Sequence, residues 1–324
     1  MKKTVLITAL ALIATAAFAQ GKFTWIGKTS DDPDKMLPGV DPSKVTGTIV
    51  TAGSSTVYPV SELIASMFKE DGFKGQVTID SIGSGAGFER FTKTGETDIS
   101  NASVAIKQTQ IDAAKAIGRT PIEFRLGTDA LAVVVSKNNT FAKDMTQAEI
   151  KLAFSTAVLW SDVRASFPKR EIKRFIPGTD SGTFDYFVEH FYKKDRAPIL
   201  GAKNLQLSED DNVLVRGVSD DIYAIGFFGF AYYVENQAKL NVLAIDGVTA
   251  NAANVDNASY PLARPIFIYS DAKIMNDKPQ VAAFIAYYLT YVNEALKDVG
   301  YFPAPKAEQR KAKQAWLDAV KGRY

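Results

Sequence analysis

The sequence predicts an α/β protein built as two units around a cleft. Three observations carry this. From Gly47 onward, short apolar strands alternate with segments of helical periodicity. Two strongly apolar strands, Ala130 to Ser136 and Arg264 to Tyr269, flank a middle unit. Three glycine- and hydroxyl-rich turns stand directly before helical segments: Gly53-Ser54-Ser55-Thr56, Gly83-Ser84-Gly85-Ala86-Gly87 and Gly178-Thr179-Asp180-Ser181-Gly182-Thr183.

The N-terminus sets the compartment. Lys2 and Lys3 precede the apolar run Val5 to Phe18, and Ala17-Phe18-Ala19 is a small-residue cleavage signal. The run is shorter than the roughly 20 apolar residues a spanning helix needs. Residues 1–19 are therefore expected to be a signal peptide cleaved after Ala19, which puts the protein in the periplasm or outside the cytoplasm. Residues 20–46, with Asp31-Asp32-Pro33-Asp34, Pro38 and Pro42, read as a polar tether or a lead-in that hugs the surface.

The first unit then follows in order. Thr48 to Ala52 is a strand. Thr56 to Glu70 has helical spacing through Val57, Val60, Leu63, Ile64, Met67 and Phe68. Gln76 to Ile82, Asp98 to Ala102 and Ile122 to Gly127 are strands, with helices at Phe88 to Thr94 and Gln108 to Ile117. This grammar implies a mostly parallel sheet covered by helices. In the second unit, Thr146 to Phe154 is helical and Ile172 to Ile176 is a strand that feeds the third turn. Ser208 begins a capped helix through Val215. Tyr223 to Phe228 and Val242 to Ile245 are strands, and two helices near 279–293 and 306–321 close the chain.

The turns carry the chemistry. The first N–H groups of a helix lack internal partners and sit at the positive end of its dipole, so they favour an anion. Ser181 and Thr183 add hydroxyl donors, and Gly182 allows close backbone approach. One such turn is an ordinary cap; three in one chain point to an oxyanion site. Ligands in open α/β sheets lie beyond the carboxyl ends of strands, here between the units.

Bulk composition narrows the classes. The chain has 324 residues, 46% of them hydrophobic and 23% charged, with a net charge of +2. That is room for about two domains with ample core. No dense Lys/Arg stripe marks a nucleic-acid binder. With no cysteine, disulfides, thiolate metal sites and lipid attachment through an N-terminal cysteine are excluded. No metal or other cofactor is implied.

Four stretches in this order and spacing resemble the phosphate-binding proteins of bacterial ATP-driven (ABC) phosphate importers: Ala52-Gly53-Ser54-Ser55-Thr56-Val57-Tyr58-Pro59-Val60, Gly83-Ser84-Gly85-Ala86-Gly87-Phe88, Asp98-Ile99-Ser100-Asn101-Ala102-Ser103 and Gly178-Thr179-Asp180-Ser181-Gly182-Thr183-Phe184. The resemblance covers roughly residues 47–300. It implies a two-lobe periplasmic binding protein fold of type II, with a strand hinge and the ligand in the interdomain cleft. The expected lobes are 47–130 plus 265–324, and 131–264. The implied function is capture of inorganic phosphate and delivery to a membrane permease by a monomeric carrier with no enzymatic activity. The implied ligand residues are Ser55, Thr56, Ser84, Asn101, Ser103, Ser181, Gly182 and Thr183.

The sequence departs from the family twice. Where many members carry a carboxylate in the third stretch or an arginine just after its serine, Val104-Ala105-Ile106 follows Ser103. Where many carry an arginine four residues before the last serine, Pro177 stands. Asp180 is a candidate proton acceptor and equally an ordinary helix cap. Arg90 and Arg216 are candidate cations, and a site of neutral dipoles alone is the other reading.

The alternative function is a secreted hydrolase or phosphatase-like enzyme using Ser84 or Ser181. It lacks a base: His190 is the single histidine, no Gly-x-Ser-x-Gly is present, and Asp180-Ser181-Gly182 has no second aspartic-protease triplet to pair with. Glu209-Asp210-Asp211 lacks an EF-hand frame and reads as a solvated helix start. The basic tail from Lys306 reads as a docked amphipathic helix.

Overall fold

The computed structural model describes residues 32–322. The expected signal peptide, its cleavage position and the first part of the lead-in lie outside the described residues.

One strand organises the chain. Pro121–Ser136 runs unbroken for 16 residues. Its first half pairs antiparallel with Ala263–Asp271, as far as Ala130 opposite Ala263. From Leu131 it pairs antiparallel with Ala224–Gly229 instead. On one side the sheet continues through Ile99–Ala102, Thr48–Gly53 and Gln76–Ser81, and on the other through Lys173–Pro177 and Leu205–Ser208. Pairing is parallel within each outer group of three.

This corrects two expectations. The strands expected at 122–127 and 130–136 are one strand, and the sheet is mixed rather than mostly parallel. Gly127 looks like a break in the sequence, but there is a packing reason for it. A Cβ at this position would overlap the carbonyl oxygen of Phe302, whose short strand lies against it.

The buried side chains follow the same division. One apolar core draws on Met36 to Leu126 and Ile266 to Ala319, the other on Ala130 to Leu262. The sheet runs through both, and Phe302 packs on Phe230 where they meet, 5.1 Å between ring centres. The lead-in does not hang free: Met36 and Val45 are buried, Asp34 pairs with Lys306 at 2.8 Å, and Lys313 donates to the Pro33 carbonyl at 2.7 Å. The tail helix Lys306–Val320 buries Ala312, Ala315, Trp316, Leu317 and Ala319, and Trp316 donates to the Ala282 carbonyl at 2.9 Å. Among the described residues no helix is long and apolar enough to cross a membrane.

Local differences have local causes. The cap of Asp211–Ser219 is Asp210, which accepts from the Asn212 N–H at 2.9 Å, while Ser208 only braces the Asp210 N–H at 3.0 Å. The short helix Phe230–Glu235 escapes the apolar periodicity because only Phe230 on it is buried. Arg174 is wholly buried with no carboxylate near. It donates to the carbonyls of Ala153, Ala157, Ile172 and Lys203, and burial lowers its pKa to about 10.

The helix Gln147–Ala153 opens on a capping box. The Thr146 hydroxyl accepts from the Glu149 N–H at 3.2 Å, and the Glu149 carboxylate accepts from the Thr146 N–H at 2.8 Å. Arg164 donates to both oxygens of the same carboxylate, at 2.6 and 2.7 Å. Chiefly through Arg164, the Glu149 pKa falls from its ordinary 4.5 to about 2. A depressed folded pKa contributes stability that is present above 4.5 and lost as pH falls towards 2. Wild type is expected to lose on the order of 1–3 kcal/mol more than Glu149→Gln between pH 6 and about pH 2.5. Urea unfolding of both proteins at the two pH values checks this, and equal losses would refute it.

Candidate functional site

Parallel strands aim their carboxyl ends, and the turns that follow, at the crossing between the two cores. Two glycines pack the first two turns together. Gly53 has φ +145°, and a Cβ there would overlap the Asn101 carbonyl oxygen. A Cβ on Gly87 would sit 2.5 Å from Gly53 Cα and 2.8 Å from the Ala52 oxygen. The Gly53 carbonyl accepts from Ile82 and Gly83 at 2.9 and 2.7 Å, which ties the second turn to the first. Within the first turn the Ser54 hydroxyl accepts from the Thr56 N–H at 3.2 Å. Ser84 accepts from the Ser103 N–H at 3.0 Å and lies 3.2 Å from the Ser103 hydroxyl.

The third turn comes from the other core. Ser181 caps Gly182–Tyr192 by accepting from the Thr183 N–H at 3.2 Å. A Cβ on Gly182 would be 3.6 Å from the Ser55 oxygen, so the two helix starts abut across the crossing. Beside them opens a cleft of about 900 Å³. Ser55, Thr56, Ser84 and Ser103 line one wall, and Asp185, Tyr186, Glu189, His190 and Arg196 the other.

The sequence-predicted residues are thus brought together in part. Ser55, Thr56, Ser84 and Ser103 face the cleft. Ser181, Gly182 and Thr183 lie at its inner edge rather than in its wall. Asn101 is buried behind it: its Oδ1 accepts from the Thr51 hydroxyl at 3.1 Å and its carbonyl from the Ser54 N–H at 2.9 Å, while its Nδ2 has no partner among the described residues. Asp180 is exposed, and its N–H donates to Glu209 at 3.4 Å. Neither predicted cation reaches the cleft. Arg90 follows the second helix and pairs outward with Asp80 at 2.6 Å and Glu96 at 3.8 Å. Arg216 lies in the last turn of its helix and lines a separate hollow of about 380 Å³ with Lys137 and Lys239.

The most buried cation lining the cleft is Arg264, which is not among the sequence-predicted site residues. It stands directly opposite Asp129 in the antiparallel register. Its Nε and Nη2 lie 3.1 Å from Asp129 Oδ2, and Nη2 also donates to the Thr56 hydroxyl. The ring of Tyr186, from the other core, stacks 3.6 Å from its guanidinium carbon. Burial pushes the Asp129 carboxyl up and Arg264 pulls it back. Burial and Arg264 together hold the His190 pKa below its ordinary 6.5. The one available signal was a charged residue opening an otherwise apolar strand.

The arrangement offers donors to an anion and no acyl- or phosphoryl-transfer machinery. The ring of His190 meets Gln147 at 2.7 Å, Ser84 pairs with Ser103, and Ser181 caps its helix. Among the described residues no group of three or more His, Asp or Glu is placed to hold a metal ion.

The glycine packing is testable. Gly87→Ala is expected to cost about 1–3 kcal/mol by overpacking against Gly53. A Cβ on Gly85, in the same short helix, meets nothing within 4 Å. Gly85→Ala is therefore expected to be neutral or to stabilise by up to about 1 kcal/mol. Denaturant midpoints of the two variants check this, and equal shifts would refute it.

Comparison with known proteins agrees with this geometry. A family model described as a PBP superfamily domain matches residues 40–291. Protein SphX of Synechococcus elongatus is 42% identical over 270 residues, 79% of this chain and 78% of that protein. Phosphate-binding protein PstS of Staphylococcus epidermidis is 31% identical over 287 residues, 87% of this chain and 85% of that protein. The crystal structure of a possible phosphate binding protein from Planctomyces limnophilus superposes with a TM-score of 0.79 at 35% identity, covering 85% of this chain and 99% of that one. An ABC-type phosphate transport receptor from Vibrio cholerae, at TM-score 0.59 and 19% identity over 78% of this chain and 99% of that one, shares the fold. The chain belongs to the periplasmic binding protein superfamily, and its relatives over most of its length include bacterial proteins named as phosphate-binding.

Proposed function

We propose that this protein captures inorganic phosphate between its lobes outside the cytoplasm and hands it to the permease of an ATP-driven importer. The observation that carries the reading is the abutment of helix starts from both cores, Gly182 against Ser55, beside a cleft that Ser55, Thr56, Ser84 and Ser103 line. Relatives named as phosphate-binding proteins support it over most of the chain. The family consists of transport receptors, so the protein is not an enzyme. The hydrolase alternative has no support.

The finer proposals follow. Residues 47–130 with 265–324 form one lobe and 131–264 the other, hinged on Pro121–Ser136 and Ala263–Asp271. Ser55, Thr56, Ser84, Ser103, Ser181, Gly182 and Thr183 hold the ion, with Asn101 bracing the first turn. The chain acts as a monomer without nucleic acid, after cleavage behind Ala19. Binding replaces the hydration shell of the anion with oriented N–H and O–H dipoles.

Calorimetric titration with phosphate, then sulfate, tests the function. Tight stoichiometric phosphate binding is expected, with no turnover of a chromogenic phosphate ester. Ser181→Leu is expected to weaken phosphate binding by about 2–3 kcal/mol through the lost donor and the obstructed turn. Failure of the native protein to bind phosphate would sink the reading. Unchanged affinity in the variant would move the site elsewhere.

A further inference from the structure

We infer that Arg264 supplies the positive charge that holds the anion, and that Asp129 is the residue that positions it. The inference rests on the phosphate-receptor reading. The turns provide only neutral donors, and burying a multiply charged anion without a cation is costly. Three cations face the cleft: Arg264, Arg196 and Lys194. Arg196 is half exposed and committed to Asp185 at 2.6 Å. Lys194 is 72% exposed. Arg264 is 11% exposed, and only there is the charge shielded from screening water.

Its orientation is fixed from behind. Asp129 is fully buried and opposite it in register, and it takes the Nε and Nη2 edge. Thr56 receives Nη2, and Tyr186 covers the flat face. Among the described residues Nη1 makes no hydrogen bond, and it has only Glu189 at 3.9 Å. Glu189 is 52% exposed and has Lys194 as a second partner at 3.7 Å, so it can yield that edge. A planar guanidinium with one edge anchored presents the other to an oxyanion at fixed geometry. The neighbouring Thr56 and Ser55 put that edge beside the first turn.

The test is calorimetry with inorganic phosphate on the full mature chain. Arg264→Gln alone would strand Asp129, so it is made together with Asp129→Asn, which leaves a neutral buried pair. This double variant is expected to melt as a folded protein and to bind phosphate at least about 30-fold more weakly. Arg264→Lys should recover part of the loss, because it keeps the charge without the fork. Asp129→Ala should lose about 10-fold with Arg264 intact, whereas Asp129→Asn, which keeps an acceptor, should lose less. Phosphate carries more charge at higher pH, so the double variant's loss should be larger at about pH 8 than at about pH 6, an effect a merely structural role would not produce. A folded double variant that binds as tightly as the native protein, or a loss independent of pH, overturns the inference while leaving the receptor reading in place. Native protein that does not bind phosphate overturns both.

Discussion

The molecule depends on two adjacent strands that cross together from one core to the other. Asp129 and Arg264 face each other on these strands at the crossing, and the Leu131 N–H bonds the Leu262 carbonyl at 3.0 Å just beyond. The strands feed both cores, Ile122, Phe124, Leu126, Ile266 and Ile268 on one side and Leu131 to Val135 on the other, and the charged pair sits between. A buried ion pair is a poor source of net stability, since desolvation offsets its attraction. It is a strong source of register, because losing either partner would strand the other charge at a cost of about 3–5 kcal/mol. A slip of one residue would turn Arg264 to the opposite face of the sheet. Tyr186 then couples the pair to the second core through its ring.

Everything at the cleft is placed relative to that crossing. Each outer group of three parallel strands delivers its carboxyl ends to the same side. The first group brings Ser54 to Thr56, Ser84 and Ser103; the second brings Ser181 to Thr183. The spacing is set by absent side chains. Gly53 and Gly87 allow two backbones to touch, whereas at Gly182 a Cβ would meet Ser55 only at ordinary contact distance. Gly53 and Gly87 are positions where the sequence specifies distance rather than chemistry.

Local features of this fold were legible in the chain and non-local ones were not. Strand and helix positions followed from apolar periodicity, and the three turns from glycine and hydroxyl clusters. Both depend on neighbours in sequence. The unbroken strand through Gly127 was hidden because the reason for that glycine, the Phe302 backbone, lies far along the chain. Arg264 was hidden for the same reason: its partner is 135 residues away, and only the register pairs them. Arg90 stands just after the second turn in sequence and Arg216 in a helix far from all three, and neither lines the cleft. Asn101 was expected to contact the ligand, but it is buried and does not line the cleft. Which way its side chain points, towards Thr51, depends on strand pairing that one segment cannot reveal.

The internal bonds of the turns also explain why such a site would favour an anion over a neutral solute. Ser54, Ser84 and Ser181 already have partners, but several of these contacts are long: 3.2 Å for Thr56 to Ser54, for Ser84 to Ser103 and for Thr183 to Ser181. Hydroxyl pairs are strongest near 2.7–2.8 Å and amide donors near 2.9–3.0 Å. A neutral solute would exchange weak bonds for others of similar strength and gain little. A charged oxygen accepts bonds roughly twice as strong as neutral ones. The turns therefore keep the Thr56 and Thr183 N–H groups oriented and satisfied by serine oxygens, and such long bonds exchange at small cost for an acceptor that carries charge. Discrimination by charge would then come from this exchange of weak partners for strong ones together with the guanidinium of Arg264 beside the first turn.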